Sequence, residues 1–124
     1  MHLFEYAVIR VVPRVEREEF INVGVILYCP AQGFLQTACT LNESRLLAFS
    51  PKLDLDELQQ RLDSFTKICV GRATGGPIGQ LATASRFRWL TATRSTVIQT
   101  SAVHPGLCVN AQETLVRLFD ELVG

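Results

Sequence analysis

Lysine and histidine are scarce in this chain: 124 residues hold two of each, against ten arginines. Such a skew fits a high-GC genome, yet arginine also brings a planar fork of donors suited to carboxylates and phosphates. His2 lies beside the first residue and His104 has no visible orienting partner, so a histidine general base finds no support. The formal net charge is zero. A general electrostatic drive toward nucleic acid or an anionic membrane is therefore absent, and only a local patch stays open. The four cysteines, Cys29, Cys39, Cys69 and Cys108, form no C-x-x-C pair and match no zinc spacing. No apolar run approaches the roughly 20 residues of a membrane span. No basic n-region or cleavage site precedes strand-like sequence at Leu3. These absences lead us to expect a reduced cytoplasmic protein without metal, cofactor or membrane contact, its cysteines serving as small apolar fillers.

What is present is ordinary for a folded domain: 48% apolar and 19% charged residues, far from the disordered range. The length fits one domain over residues 1–124 with one real core. Leu3 to Val12 reads as an interior strand, since both of its faces are mostly apolar, and Pro13 ends it. Asn22 to Cys29 and Phe34 to Leu41 read as a hairpin around Pro30-Ala-Gln-Gly33, with Asn22, Gly24, Ile26 and Tyr28 sharing a face. The short charged link at 14–19 forces the first two strands to pair antiparallel.

Asn42 caps a short helix over 43–49, and Asp54 with Glu57 opens a longer one. Leu55, Leu58, Leu62, Phe65 and Cys69 then form a single apolar stripe. Gly71 follows as a helix stop. A short helix is expected across 78–84, a brief strand or aromatic plug at 87–90, a fourth strand at 96–103 and a turn at His104-Pro-Gly. Asn110 with Glu113 caps a last helix whose core face is Leu115, Leu118, Phe119 and Leu122. The expected fold is α+β: a mainly antiparallel sheet of about four strands with two or three helices packed on one face.

Two blocks carry a resemblance. One is Tyr6-x-Val8-Ile9-Arg10-x-Val12-Pro13 followed by Asn22-Val23-Gly24-Val25; the other is Arg86-Phe87-Arg88-Trp89-Leu90 with Arg94-Ser95 and His104-Pro105-Gly106. Together they resemble a bacterial family catalogued as a domain of unknown function, over essentially the whole chain. Its members are sometimes encoded beside HipA-like serine/threonine kinases. The resemblance implies a protein partner of that kind and carries no activity with it.

Arg10 stands out from the residues themselves, because a charge inside a strand must be paired if it is buried. It would either grip an acidic ligand, a phosphate or a partner, or close an ion pair with Glu18 or Glu19. If 86–90 is extended, Arg86 and Arg88 face away from Phe87 and Trp89. With Arg94 and Ser95 they would make a cationic face over an aromatic anchor, suited to phosphate or a single-stranded backbone. The structural alternative is a rim of arginines around a buried tryptophan.

Gly71 to Gly79 could cradle a phosphate, but the Walker pattern is absent and a surface loop accounts for it. No G-x-S-x-G elbow exists. Asp54, Asp56, Glu16, Glu18 and Glu19 read as a helix start and a solvated link. Gly24 inside a strand marks a bulge or a close approach, and Asn22 a hydrogen bond to the charged link.

The leading expectation is a binding or regulatory module with a protein partner, at Arg10, Arg86, Arg88, Trp89 and Arg94. The second is phosphate or nucleic-acid binding through the same arginines. An enzyme comes third, with no catalytic residue named.

Overall fold

Strand β1 (His2–Val11) is the axis of the fold in the computed structural model, which describes residues 1–71, 75–92, 94 and 96–124. It pairs antiparallel with β2 (Ile21–Cys29) on one side, and β2 pairs antiparallel with β3 (Phe34–Cys39). On its other side β1 takes two short strands in succession. β4 (Ile98–Thr100) lies against residues 9–11 and β5 (His104–Cys108) against residues 2–6. Among the described residues this makes a five-stranded antiparallel sheet with five helices.

The expected strand at 96–103 is thus reduced to 98–100, and the expected turn at His104-Pro-Gly is itself strand. Proline is tolerated there because β5 is an edge strand, where a missing N–H costs no ladder bond. Gly106 is needed because the Phe4 ring lies where a Cβ would go. Ser101 bridges the break. Its N–H donates to Val8 O at 2.8 Å, and its Oγ accepts from Val8 N–H at 2.8 Å.

A β-bulge sits between Ile9 and Arg10, where Ile9 faces Gly24 and Arg10 faces Asn22, leaving Val23 as the extra residue. The bulge turns Asn22 out of the face it would share with Gly24 and Ile26, and sets it beside Arg10. Asn22 Nδ2 donates to Leu122 O at 3.1 Å, so it ties β2 to the last helix and not to the charged link. Gly24 also permits a close approach. A Cβ there would meet Cys39 Sγ at 2.7 Å and Ala38 O at 2.8 Å.

The helices divide between both faces of the sheet, not one. Ala7, Ile9, Val11, Ile26 and Tyr28 pack against α1 (Glu43–Phe49), α2 (Leu55–Val70) and, after the one-turn α3 (Gly76–Gly79), α4 (Thr83–Leu90). Phe4, Val25, Leu27 and Cys29 pack against α5 (Ala111–Leu122) through Ala111, Leu115 and Leu118. The apolar character of β1 on both faces is the cause, since each face needs a cover. The cap residues perform as their chemistry dictates. Asn42, Asp54 and Asn110 accept from the backbone N–H of Arg45, Glu57 and Glu113 at 3.0, 3.1 and 2.9 Å.

Segment 83–90 is helix, not strand. Phe87 and Leu90, three apart, are both fully buried, whereas Trp89 turns outward. Ser95 and positions 72–74 of the glycine-rich loop lie outside the described residues. Among the described residues no helix is long and apolar enough to cross a membrane.

Candidate functional site

Helix α4 decides the fate of three arginines. Arg86 turns toward the end of α2. Its Nη1 donates to Ile68 O at 2.9 Å and Cys69 O at 2.6 Å, its Nε to Leu81 O at 3.1 Å, and its Nη2 to Thr83 Oγ1 at 3.1 Å. The carbonyls at a helix C-terminus lack intrahelical donors and carry the negative end of the macrodipole, so a guanidinium fits there. Gly71 (φ +82°) leaves room: a Cβ on it would meet Arg86 Nη1 at 2.8 Å.

Arg88 closes a two-point ion pair with Glu5 of β1, Nη1 to Oε2 at 2.8 Å and Nη2 to Oε1 at 2.7 Å. Hydrogen bonding to Glu5 holds the Arg88 pKa above its ordinary value. Arg94 folds back on α4. Its Nη1 donates to Leu90 O at 3.0 Å, its Nη2 donates to Trp89 O, and its guanidinium carbon lies 4.4 Å from the Trp89 ring centre. Burial lowers its pKa. Trp89 stays 41% exposed. It is no buried anchor, because the helical turn gives the core positions to Phe87 and Leu90.

Arg10 lies on the other face of the sheet. Glu5, which Arg88 holds, is an odd position of β1, and Arg10 is an even one that faces Asn22 beside α5. The sheet therefore separates Arg10 from Arg86, Arg88, Trp89 and Arg94, and the five residues do not converge. The expected ion pair of Arg10 with Glu18 or Glu19 is not formed. Glu19 is held by Arg17 and Glu16 by Arg14, while Glu18 turns the chain at φ +56°.

Arg10 stacks instead on Phe20, its guanidinium carbon 3.9 Å from the ring centre. Among the described residues its side chain makes no hydrogen bond or ion pair, and its buried Nε faces no acceptor. Asn22 Oδ1, beside it, is likewise buried and without a donor. The stem is covered and the tip reaches water. Partial exposure and a ring face thus replace the counter-charge that full burial would demand. The residual burial lowers the Arg10 pKa.

Sequence reasoning did not anticipate a groove of about 450 Å³ beside β3. Leu35 and Thr37 form one wall; Thr66, Cys69 and Val70 of α2 form the other, and Arg86 closes one end. Thr37 Oγ1 and Thr66 Oγ1 are 3.4 Å apart. Only the strand order, invisible in a single chain, could reveal that β3 is an edge. Among the described residues the groove holds no reactive nucleophile. Burial pushes the Cys69 thiol up to about 12, with nearby Cys39 adding to the rise and Arg86 opposing it. Burial likewise pushes the Cys39 thiol up to about 11. Such thiols are protonated and inert at neutral pH. Among the described residues no group of three or more His, Cys, Asp or Glu is placed to hold a metal ion.

The chain belongs to the family described as "Protein of unknown function (DUF3037)", which matches residues 6–123. No curated protein and no solved structure matches it.

Proposed function

We propose that this member of the DUF3037 family is a small bacterial, cytoplasmic binding or regulatory module that acts through a protein partner, with a HipA-like kinase as the first candidate. The observation that carries this reading is the outer side of α4, where Trp89 is 41% exposed and held flat by Arg94. Tryptophan and arginine are the side chains that most often dominate protein interfaces. Here the ring is pre-ordered, so little rotamer entropy is lost on docking.

The arginine geometry supports a partner over a phosphate, since Arg86, Arg88 and Arg94 already spend their donors on internal oxygens. The test is direct association of the chain with a HipA-like kinase. Trp89→Ala, an exposed change that leaves the core intact, is expected to weaken binding at least tenfold. Failure of the two proteins to associate at micromolar concentration sinks the reading.

One observation favours a second reading. Arg10 offers an unclaimed guanidinium on the Phe20 ring, with buried Nε and Asn22 Oδ1 unsatisfied beside it. Phosphate or nucleic-acid binding there predicts affinity that falls steeply with salt. A flat titration of wild type against oligonucleotides and nucleotides excludes it.

A further inference from the structure

The two edges of the sheet are built differently. The β4/β5 edge consists of strands of three and five residues, is broken at 101–103, and carries Pro105. Short strands, breaks and proline all hinder the addition of another strand. The β3 edge has six continuous residues, Phe-Leu-Gln-Thr-Ala-Cys, without charge or proline.

Its free groups follow from the register. Thr40 N–H donates to Val23 O at 2.8 Å, which makes that opposed pair a hydrogen-bonded one. Alternation along the ladder then assigns Phe34, Gln36 and Ala38 to bonds with β2, and points the N–H and C=O groups of Leu35, Thr37 and Cys39 away from the sheet. Leu35 and Thr37 line the groove against α2. Val70, on the opposite wall, is 66% exposed.

Among the described residues Arg86 is the only formal charge lining that groove, and its bonds there go to uncharged oxygens. Its positive charge has no carboxylate partner among the described residues.

We propose that the open edge of β3 is a strand-addition site for an extended segment of a partner protein that carries a carboxylate. The segment pairs with Leu35, Thr37 and Cys39 through main-chain bonds, seats alternate side chains against Val70, and sets its carboxylate in the field of the Arg86 charge, whose own donors stay on their internal oxygens. Main-chain bonds give affinity in such sites, and side-chain pockets with a fixed charge give selectivity. The site lies apart from Trp89 and stands or falls separately from the kinase reading.

The experiment pans the full chain against random-peptide libraries, one displayed with free C-termini and one displayed internally. The enriched peptides are then resynthesised with free and amidated ends. The expected result is enrichment of β-prone peptides with an acidic residue or a required terminal carboxylate; the amidated forms tell the two sources apart. On peptide binding, amide exchange should slow at Leu35, Thr37 and Cys39. Thr37→Pro removes an N–H that no described residue accepts, and Val70→Asp places a repelling charge on the exposed wall. Each should weaken binding at least tenfold.

Three results overturn the proposal: no enrichment; peptides that bind both variants undiminished; or a wild-type dimer in sedimentation that Val70→Asp dissolves, which would assign the edge to a second copy of this chain. A kinase titration that still responds to Trp89→Ala shows, in any of those cases, that the other surface is unaffected.

Discussion

Replacing Arg86 by alanine should unfold the protein far more readily than its place in an arginine-rich segment would suggest. The guanidinium reaches the carbonyls of Ile68 and Cys69 at 2.9 and 2.6 Å, plus Leu81 O and Thr83 Oγ1. A hydrogen bond to a charged group nets about 1.5–3 kcal/mol. The bond to Leu81 O is exposed and is discounted. Taking only the two at the end of α2, at the low end because one nitrogen serves both, gives about 3 kcal/mol. With a urea slope of about 2 kcal/mol/M, the midpoint should fall by about 1.5 M at unchanged slope. Arg86→Lys keeps the charge but loses the fork, and should recover about half of the loss. Equilibrium urea unfolding followed by circular dichroism measures both variants. A midpoint shift below about 0.3 M for the alanine variant refutes the reasoning, because Arg86 would then not be the fastener of α2.

Ser101→Ala strips the hydroxyl that accepts from Val8 N–H in the middle of the sheet; a loss of about 1–2 kcal/mol is expected by urea unfolding, and none would mean that the gap between β4 and β5 closes by itself. Gly24→Ala drives a Cβ against Cys39 Sγ and the backbone oxygen of Ala38, so a cost of about 2 kcal/mol or more is expected in the same assay, with neutrality as the refuting result. The raised Cys39 and Cys69 thiols predict a pH dependence. Folding favours the neutral thiol, so the stabilisation is complete below the ordinary value of 9.0 and is lost as pH climbs toward about 11 and about 12. Between pH 9 and 11 wild type should lose up to about 1.4 kcal/mol per pH unit for each such thiol, and Cys69→Ala correspondingly less; parallel stability curves for the two proteins would contradict this.

Local chemistry was legible in the sequence and long-range pairing was not. The caps at Asn42, Asp54 and Asn110 act within three residues, so their pattern carries the structure with it. Of the stripe Leu55, Leu58, Leu62, Phe65 and Cys69, the last four are buried as the spacing requires and Leu55 is half-buried. Segment 86–90 misleads because Arg-Phe-Arg-Trp alternates like a strand. Burial of Phe87 and Leu90 against the sheet overrides that period, and the turn of the helix then sends Arg86 inward and Trp89 outward.

His104-Pro-Gly has the composition of a turn, and only its edge position makes it strand. The bulge at Val23 could be suspected from Gly24, but its consequence, Asn22 carried over to α5, needs the register. Glu5 and Arg88 are 83 positions apart, so no local pattern could join them. The separation of Arg10 from the other arginines by the thickness of the sheet is hidden for the same reason. The groove at β3 was beyond reach because strand order decides which strand is an edge.

Trp89 is the only tryptophan in the chain, so its fluorescence reports on the proposed partner face alone. In the free protein the half-exposed indole should emit toward the red. Titration with the HipA-like kinase should shift that emission to the blue, saturating at equal stoichiometry in the micromolar range. An emission spectrum that stays fixed while the kinase binds, or a kinase that does not bind at all, would contradict the assignment of this face.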